Sequence, residues 1–166
     1  MGESLYLIVG VGNTLRHDDG AGIWLAEAAA RALAEQGKAV ELRLLQQLLP
    51  EMAEEICELK AQTVLIADCS VGSYAERAGW VRRLQPAEND GPERQLSEDS
   101  AAIVGIGSHG LGAAALIELA RCLYGFEGEA WLATVPGVDF DHGEGLSPTT
   151  RQAIDHLVPA ILGLIT

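Results

Sequence analysis

Cysteine is scarce in this sequence. The chain has three cysteines, Cys57, Cys69 and Cys122, and no two of them form a C-x-x-C pair. An odd number of scattered cysteines argues against a disulfide framework and against a zinc ribbon. Cys57 and Cys122 lie in apolar segments where we expect them to be packing residues. Cys69 directly follows Asp68, so its role is less easily assigned to packing.

Positive charge is also scarce. Eleven lysine and arginine residues stand against 24 acidic residues, which gives a formal net charge of −13 and a pI near 4.5. Such a balance argues against nucleic acid or an anionic membrane as a partner, because both carry negative charge themselves. A basic partner or a metal ion fits this composition better.

No apolar run is long enough to span a bilayer. The longest apolar stretches, residues 113–123 and 157–165, are too short, and Glu118 and Arg121 interrupt the first of them. Only residues 2–4 separate Met1 from the first predicted strand, which leaves no room for the basic and apolar regions of a signal peptide. We therefore expect a soluble protein located in the cytoplasm.

The length and composition predict one domain that covers residues 1–166. Hydrophobic residues make up 48% of the chain, which is enough to fill a single core. Segments with the pattern of strands alternate with segments that have the pattern of helices, which predicts an α/β sandwich. The predicted strands are a run beginning at Leu5 and residues 40–45, 63–68, 78–84 and 130–135, and the predicted helices are residues 22–36, 50–59, 113–124 and 148–164.

A glycine-rich turn follows the first predicted strand. Gly10-x-Gly12 begins like a dinucleotide-binding fingerprint, but the third glycine, due at position 15, is replaced by Leu15. A diphosphate at the helix that follows would also meet the carboxylates of Asp18 and Asp19. The chain has no P-loop lysine with its GK[ST] ending either, so a nucleotide site is disfavoured.

Asp18 and Asp19 lie where the first strand gives way to the first helix. Carboxylates suit this position because the first N–H groups of a helix lack partners and the helix dipole places positive charge there. N-capping would explain either acid alone. With two adjacent acids, one can cap the helix while the other points elsewhere.

A third acid, Asp68, closes the short apolar strand predicted at residues 63–68. An uninterrupted apolar strand is typical of the centre of a parallel sheet, whereas the alternating strand at residues 40–45 is expected nearer the edge. Ligands of doubly wound sheets bind beyond the carboxyl ends of strands, where the winding direction reverses. We therefore expect Asp18, Asp19 and Asp68 to converge at the ends of the first and third strands.

His109 is the candidate nitrogen ligand for that place. It lies between small residues just before the helix predicted at residues 113–124. Asp19, Asp68 and His109 together make a set of two carboxylates and one imidazole, which is compatible with zinc or nickel and leaves coordination positions open. Each of these residues also has a simpler explanation. Capping or solvation at a strand end explains each acid, and an ordinary position in a loop explains the histidine. A second loop, residues 136–145, adds Asp139, Asp141 and His142.

Other catalytic patterns are absent or incomplete. The sequence has neither a G-x-S-x-G elbow nor an H-E-x-x-H helix, and neither Ser70 nor Cys69 has an identifiable base. Two carboxylates that share a proton, as in aspartic proteases, are compatible with Asp19 and Asp68 but leave the histidine unexplained.

Four motifs in order resemble the hydrogenase maturation endopeptidases, over nearly the whole chain. They are Gly10-x-Gly12-Asn13-x-Leu15-x-x-Asp18-Asp19-Gly20-x-Gly22, the strand that ends in Asp68, the pair Ser108-His109 before a helix, and Pro136 followed by Gly143-x-x-Leu146-Ser147-Pro148. Each motif alone is weak, whereas the four in sequence are fairly specific.

The resemblance implies a three-layer αβα fold around a five-stranded, mostly parallel twisted sheet. It implies an enzyme that removes the C-terminal extension from the precursor of a nickel–iron hydrogenase large subunit after nickel insertion. The nickel belongs to the substrate and is transiently ligated. The family's metal-contacting residues fall on Asp19, Asp68 and His109, while Asp18 corresponds to the other acid of the first loop and is expected to cap.

The sequence departs from the family pattern in two places. Many relatives have glutamate at the position of Asp19, so this carboxylate is one methylene shorter. The loop at residues 137–142 lacks the glutamate that often follows the proline, which is consistent with a particular hydrogenase partner. Two other functions remain open: a phosphorylase or nucleoside hydrolase on a related fold, and a non-catalytic nickel-binding maturation chaperone.

Overall fold

A single sheet of five strands forms the centre of the protein, as seen in a computed structural model that describes residues 4–71, 79–86 and 111–166. The strands lie in the order β2-β1-β3-β5-β4, and every neighbouring pair is parallel except β4 and β5. The antiparallel direction of β4 agrees with the absence of a predicted helix before it. The strands are β1 (Leu5–Val11), β2 (Ala39–Leu45), β3 (Thr63–Val71), β4 (Trp80–Arg83) and β5 (Glu129–Gly137).

Helices cover both faces of the sheet. On one face, α1 and α4 pack over a core that includes Ile8 and Leu65, and on the other face α2 and α3 pack over Leu7 and Val64. Successive residues of a strand point to opposite faces, so an apolar strand needs helices on both. The predicted three-layer αβα fold is confirmed. The helices are α1 (Ala21–Glu35), α2 (Met52–Glu58), α3 (Ala113–Tyr124) and α4 (Pro148–Ile165).

The winding direction of the sheet reverses between β1 and β3. From β1 the chain crosses to β2 on one side and then returns to place β3 on the other side. The carboxyl ends of β1 and β3 therefore lie next to each other, with Gly10 paired to Ala67. This is the position where doubly wound sheets bind ligands, as the sequence predicts.

Most boundaries lie within two residues of their predicted positions, and β3 is the exception. It continues to Val71 instead of ending at Asp68, because β5 runs beside it as far as Gly137 and keeps pairing with it. Asp68 therefore lies within the strand, opposite Thr134. The packing role predicted for the cysteines holds for Cys57, which is partly buried, but is wrong for Cys122, which is exposed.

None of the helices among the described residues has both the length and the apolar character needed to cross a bilayer.

Candidate active site

The first turn of α1 lies directly against the carboxyl ends of β1 and β3. A Cβ atom added to Gly22 would overlap the Val11 carbonyl oxygen and would lie 2.5 Å from the Ala67 carbonyl oxygen. It would also come within 2.8 Å of the Asp68 Cα. Only glycine permits this approach, which places the loop before α1 beside Asp68.

The backbone of Asp19 is also closely packed, in this case against Gly12. The backbone of Gly12 has a φ of +149°, and a Cβ added there would overlap the Asp19 carbonyl oxygen. The amide of Asn13 donates to that same oxygen at 3.3 Å. The loop between β1 and α1 is therefore folded back on itself, and this closure fixes where the Asp19 backbone lies.

Asp18 is completely buried, with a relative exposure of 0%. Its Oδ2 accepts hydrogen bonds from the amides of Val138 and Asp139 at 2.9 and 3.0 Å and from the Ser147 hydroxyl at 2.7 Å. Its Oδ1 accepts from the Ser147 amide at 2.8 Å. Burial by itself would raise the pKa of Asp18, but these hydrogen bonds to the ionised form outweigh it and hold the pKa below its usual value.

The capping role expected for Asp18 is wrong. Neither the short 3₁₀ helix His17–Gly20 nor α1 has a side-chain cap at its N-terminus. Because α1 starts from this 3₁₀ turn, Asp18 faces inward to the segment that follows β5. Its hydrogen bonds hold the start of α4, where Ser147 is the N-cap and accepts from the Thr150 amide.

His17 and Arg16 also form hydrogen bonds between the loop after β1 and the loop after β5. The amide of His17 donates to the Gly143 carbonyl at 2.9 Å, and its ring Nδ1 lies 3.1 Å from the Gly145 carbonyl oxygen. The Arg16 guanidinium donates to the Phe140 carbonyl at 3.1 Å. His17 holds a φ of +45°, which is unusual for a residue other than glycine. The loop that carries Asp19 is thus joined to the loop after β5 along its length.

Asp19 and Asp68 are both partly exposed at this edge of the sheet, unlike Asp18. Burial raises the pKa of Asp68 to about 6, and the negative charge of Asp19 adds to the rise, while a 2.7 Å hydrogen bond from the Cys69 amide opposes it. Asp19 therefore lies close enough to Asp68 to disfavour its ionisation. The predicted convergence of the two acids is supported by this electrostatic contact.

The Cys69 thiol is surrounded by the same acids. Burial raises the pKa of Cys69, and the negative charges of Asp68, Asp19 and Asp18 raise it further. The thiol consequently stays protonated at neutral pH, whereas a nucleophilic cysteine requires the thiolate. Cys69 is instead a packing residue: a Cβ added to Gly137 would lie 2.7 Å from its sulfur.

The paired carboxylates suit two kinds of chemistry. A carboxyl group with a pKa near 6 exchanges protons readily near neutral pH, as a general acid or base must. Together Asp19 and Asp68 also offer oxygen ligands to a divalent cation with open positions. Among residues 4–71, 79–86 and 111–166, no three His, Cys, Asp or Glu side chains are grouped to hold a metal ion. The predicted third ligand, His109, lies outside the described residues.

A cavity of about 500 Å³ lies at the opposite edge of the sheet, beside Lys60, Tyr124 and Phe126. It is distant from the acids, since those residues flank the amino ends of β3 and β5. We assign the candidate site to the carboxyl edge, where the perturbed carboxylates are, and not to this cavity.

Several solved structures share the fold of this chain. The hydrogenase maturating endopeptidase HybD from E. coli superposes with a TM-score of 0.67 over 96% of this chain and 90% of that one, at 21% identity. The chain has the fold of the hydrogenase maturation endopeptidases. Comparison with models of protein families gives no match, and neither does comparison with curated proteins.

Two further solved structures show the same architecture. The endopeptidase HycI from Escherichia coli gives a TM-score of 0.63 over 96% of this chain and 90% of its own, at 20% identity. The [NiFe] hydrogenase maturation protease HycI from Thermococcus kodakarensis gives 0.59 over 98% and 92%, at 17% identity. At the level of the fold, these comparisons confirm the resemblance that the sequence motifs indicate.

Proposed function

We propose that the protein is a cytoplasmic endopeptidase of hydrogenase maturation. It removes the C-terminal extension from a nickel-loaded large-subunit precursor of a nickel–iron hydrogenase. Asp19, Asp68 and His109 are the residues to which we assign this activity, with the nickel of the substrate docked by their side chains. The nickel arrives with the precursor and leaves with the product.

The observation that carries this proposal is the close approach of α1 to the ends of β1 and β3 at Gly22, which sets the loop of Asp19 beside Asp68 at the switch point of the sheet. The pKa of Asp68 is raised to about 6 by burial and then by the charge of Asp19. A divalent cation placed between two carboxylates removes that repulsion, because each then interacts with positive charge. The site thus favours a substrate that brings a cation with it.

In the proposed reaction, Asp18 has a structural role and does not contact the substrate. Both of its oxygens accept hydrogen bonds from Val138, Asp139 and Ser147, and the side chain is completely buried, so it does not face a substrate. Its adjacent residue, Asp19, makes no side-chain hydrogen bond of this kind to the described residues and is partly exposed. This difference separates the structural acid of the first loop from the one proposed to contact the metal.

The experiment that tests the proposal compares two site variants with two matched controls. Asp68→Asn and His109→Ala remove proposed ligands, while Asp155→Asn and His156→Ala make the same changes at exposed positions of α4. Each variant is incubated in catalytic amount with nickel-loaded precursor, and the shortened large subunit is quantified. We expect both site variants to fold and to leave the precursor unprocessed, with both controls active.

Normal processing by Asp68→Asn and His109→Ala would refute the proposed site. Conversion of precursor only in proportion to the amount of added protein would indicate a nickel-binding chaperone instead of an enzyme. Loss of processing in a site variant is distinguished from misfolding by its melting temperature.

A further inference from the structure

Exposed aliphatic side chains border the candidate site. Among the described residues, the four most exposed large hydrophobic side chains are Val71 at 83%, Leu123 at 67%, and Leu15 and Val138 at 59% each. Three of these four, Leu15, Val71 and Val138, lie in the segments that follow β1, β3 and β5 or end them. Leu123 lies near the end of α3, at the opposite edge. We call Leu15, Val71 and Val138 the apolar rim.

The three residues of the apolar rim lie on segments at the carboxyl edge that are joined by backbone pairing and hydrogen bonds. Val71 is the register partner of Gly137, so it lies beside the residue that precedes Val138. The Val138 amide donates to Asp18, and the Leu15 carbonyl accepts from the Gly143 amide at 2.9 Å. Leu15 and Val71 are thus a few residues from Asp19 and Asp68 in the sequence, and Val138 lies on a segment that is hydrogen-bonded to Asp18.

Acidic side chains lie next to the apolar rim. Asp141 and Glu144 are exposed in the same loop as Val138, and Asp19 and Asp68 lie at the site itself. The nearby Arg16 guanidinium donates to a backbone carbonyl in this loop. The edge therefore combines apolar contacts with negative charge, in keeping with the formal net charge of −13.

We propose that the apolar rim docks the part of the substrate chain next to the scissile bond, an extended segment with aliphatic side chains and a net positive charge. This inference rests on the proposed function, because a bond that reaches Asp19 and Asp68 must bring its flanking residues across the rim. Aliphatic side chains gain free energy by covering exposed Leu and Val, and basic ones by approaching Asp141 and Glu144. A small molecule would leave these side chains uncovered.

The test uses a rim variant and a control matched in chemistry. Leu15→Ser/Val138→Ser removes two rim side chains, whereas Leu123→Ser/Leu164→Ser removes two comparably exposed ones at the opposite edge. Binding of the nickel-loaded precursor and the rate of its cleavage are measured separately for each protein. We expect the rim variant to raise both Kd and KM on the order of tenfold with kcat little changed, and the control to match wild type.

A second pair of variants tests the charge of the occupant. Asp141→Asn/Glu144→Gln is expected to raise KM several-fold at low ionic strength, with a smaller effect at high salt, because exposed charges are screened. Asp155→Asn is the control for this change. Equal KM values for the charge variant and wild type at low salt would contradict a basic occupant.

The outcomes separate this inference from the proposed function. Cleavage by wild type with unchanged KM in the rim variant overturns the docking role and leaves the endopeptidase standing. Binding that depends on the rim, without cleavage, overturns the endopeptidase and leaves the docking role standing. No binding by wild type overturns both. A wild-type dimer that the rim substitutions convert to a monomer would assign the rim to a second copy of the chain and overturn the proposal.

Discussion

The Asp18 carboxylate accepts hydrogen bonds from both the amide and the hydroxyl of Ser147, 129 positions further along the chain, at 2.8 and 2.7 Å. This contact joins the loop after β1 to the start of α4. The Ser147 hydroxyl also lies 3.0 Å from the Thr150 hydroxyl, which donates to the Pro136 carbonyl at 3.0 Å. Because the Ser147 hydroxyl accepts from the Thr150 amide at 3.3 Å, hydrogen bonds connect Asp18 through Ser147 and Thr150 to the end of β5.

Replacement of Asp18 by asparagine tests this connection. Both carboxylate oxygens accept from amides, so either orientation of the substituted side chain would place its NH₂ group against an N–H donor. We expect the free energy of unfolding to fall by about 2–4 kcal/mol, because buried donors lose their partner. Chemical denaturation of Asp18→Asn and of the exposed control Asp155→Asn measures the difference. A loss within about 0.5 kcal/mol of the control would contradict the assigned role.

Stability should also depend on pH through Asp18. Its pKa is lower in the folded state than in the unfolded state, so the stabilisation is present above the unfolded pKa, about 4, and is lost as pH falls through the folded pKa. Wild type should therefore lose more stability than Asp18→Asn when the pH is lowered from about 5 to about 2. Denaturation midpoints of both proteins across this range check the sign. Parallel curves for the two proteins would contradict it.

Asp68 should have the opposite effect on stability. Its folded pKa of about 6 exceeds the unfolded value, about 4, so the ionised carboxylate destabilises the fold above pH 6 and the cost disappears below pH 4. We expect Asp68→Asn to increase the free energy of unfolding at pH 7 by about 1–3 kcal/mol, discounted for partial exposure, and to change it little at pH 4. Thermal unfolding at both pH values measures this. A variant less stable than wild type at pH 7 would show that the carboxylate is not under electrostatic strain.

Gly22→Ala tests the packing of α1 on the sheet. The added Cβ would meet the backbone carbonyls of Val11 and Ala67, so α1 must move away from the site. We expect a loss of more than about 2 kcal/mol of unfolding free energy. Gly163→Ala is the matched control, because its added Cβ meets nothing within 4 Å and alanine favours the interior of a helix by about 1 kcal/mol. Equal effects of the two substitutions would refute the close approach at Gly22.

Sequence patterns predicted the architecture because they reflect local physics. The apolar run of β3 and the alternation of β2 indicate how many faces of each strand are covered, and the structure has β3 inside and β2 at the edge. Ser147 and Pro148 indicate the start of α4 through the capping of their own helix. Each of these signals is contained within a short stretch of the chain.

The role of Asp18 could not be predicted in this way. A carboxylate before a helix has the same local pattern whether it caps that helix or binds a distant segment, and its partners, Val138, Asp139 and Ser147, follow it by 120 or more positions. His17 was missed for the same reason, since its contacts with Gly143 and Gly145 are also distant in sequence. The extension of β3 past Asp68 depends on the length of β5, which no pattern within β3 encodes.

The most direct test of the proposed function is mass spectrometry of a hydrogenase large-subunit precursor, nickel-loaded and nickel-free, after incubation with a catalytic amount of the wild-type protein. We predict loss of a C-terminal peptide from the nickel-loaded precursor alone, because Asp19, Asp68 and His109 are proposed to dock the metal. Cleavage of both precursors would keep the endopeptidase and refute the docking of nickel. An intact nickel-loaded precursor from the cognate hydrogenase would contradict the proposed activity itself.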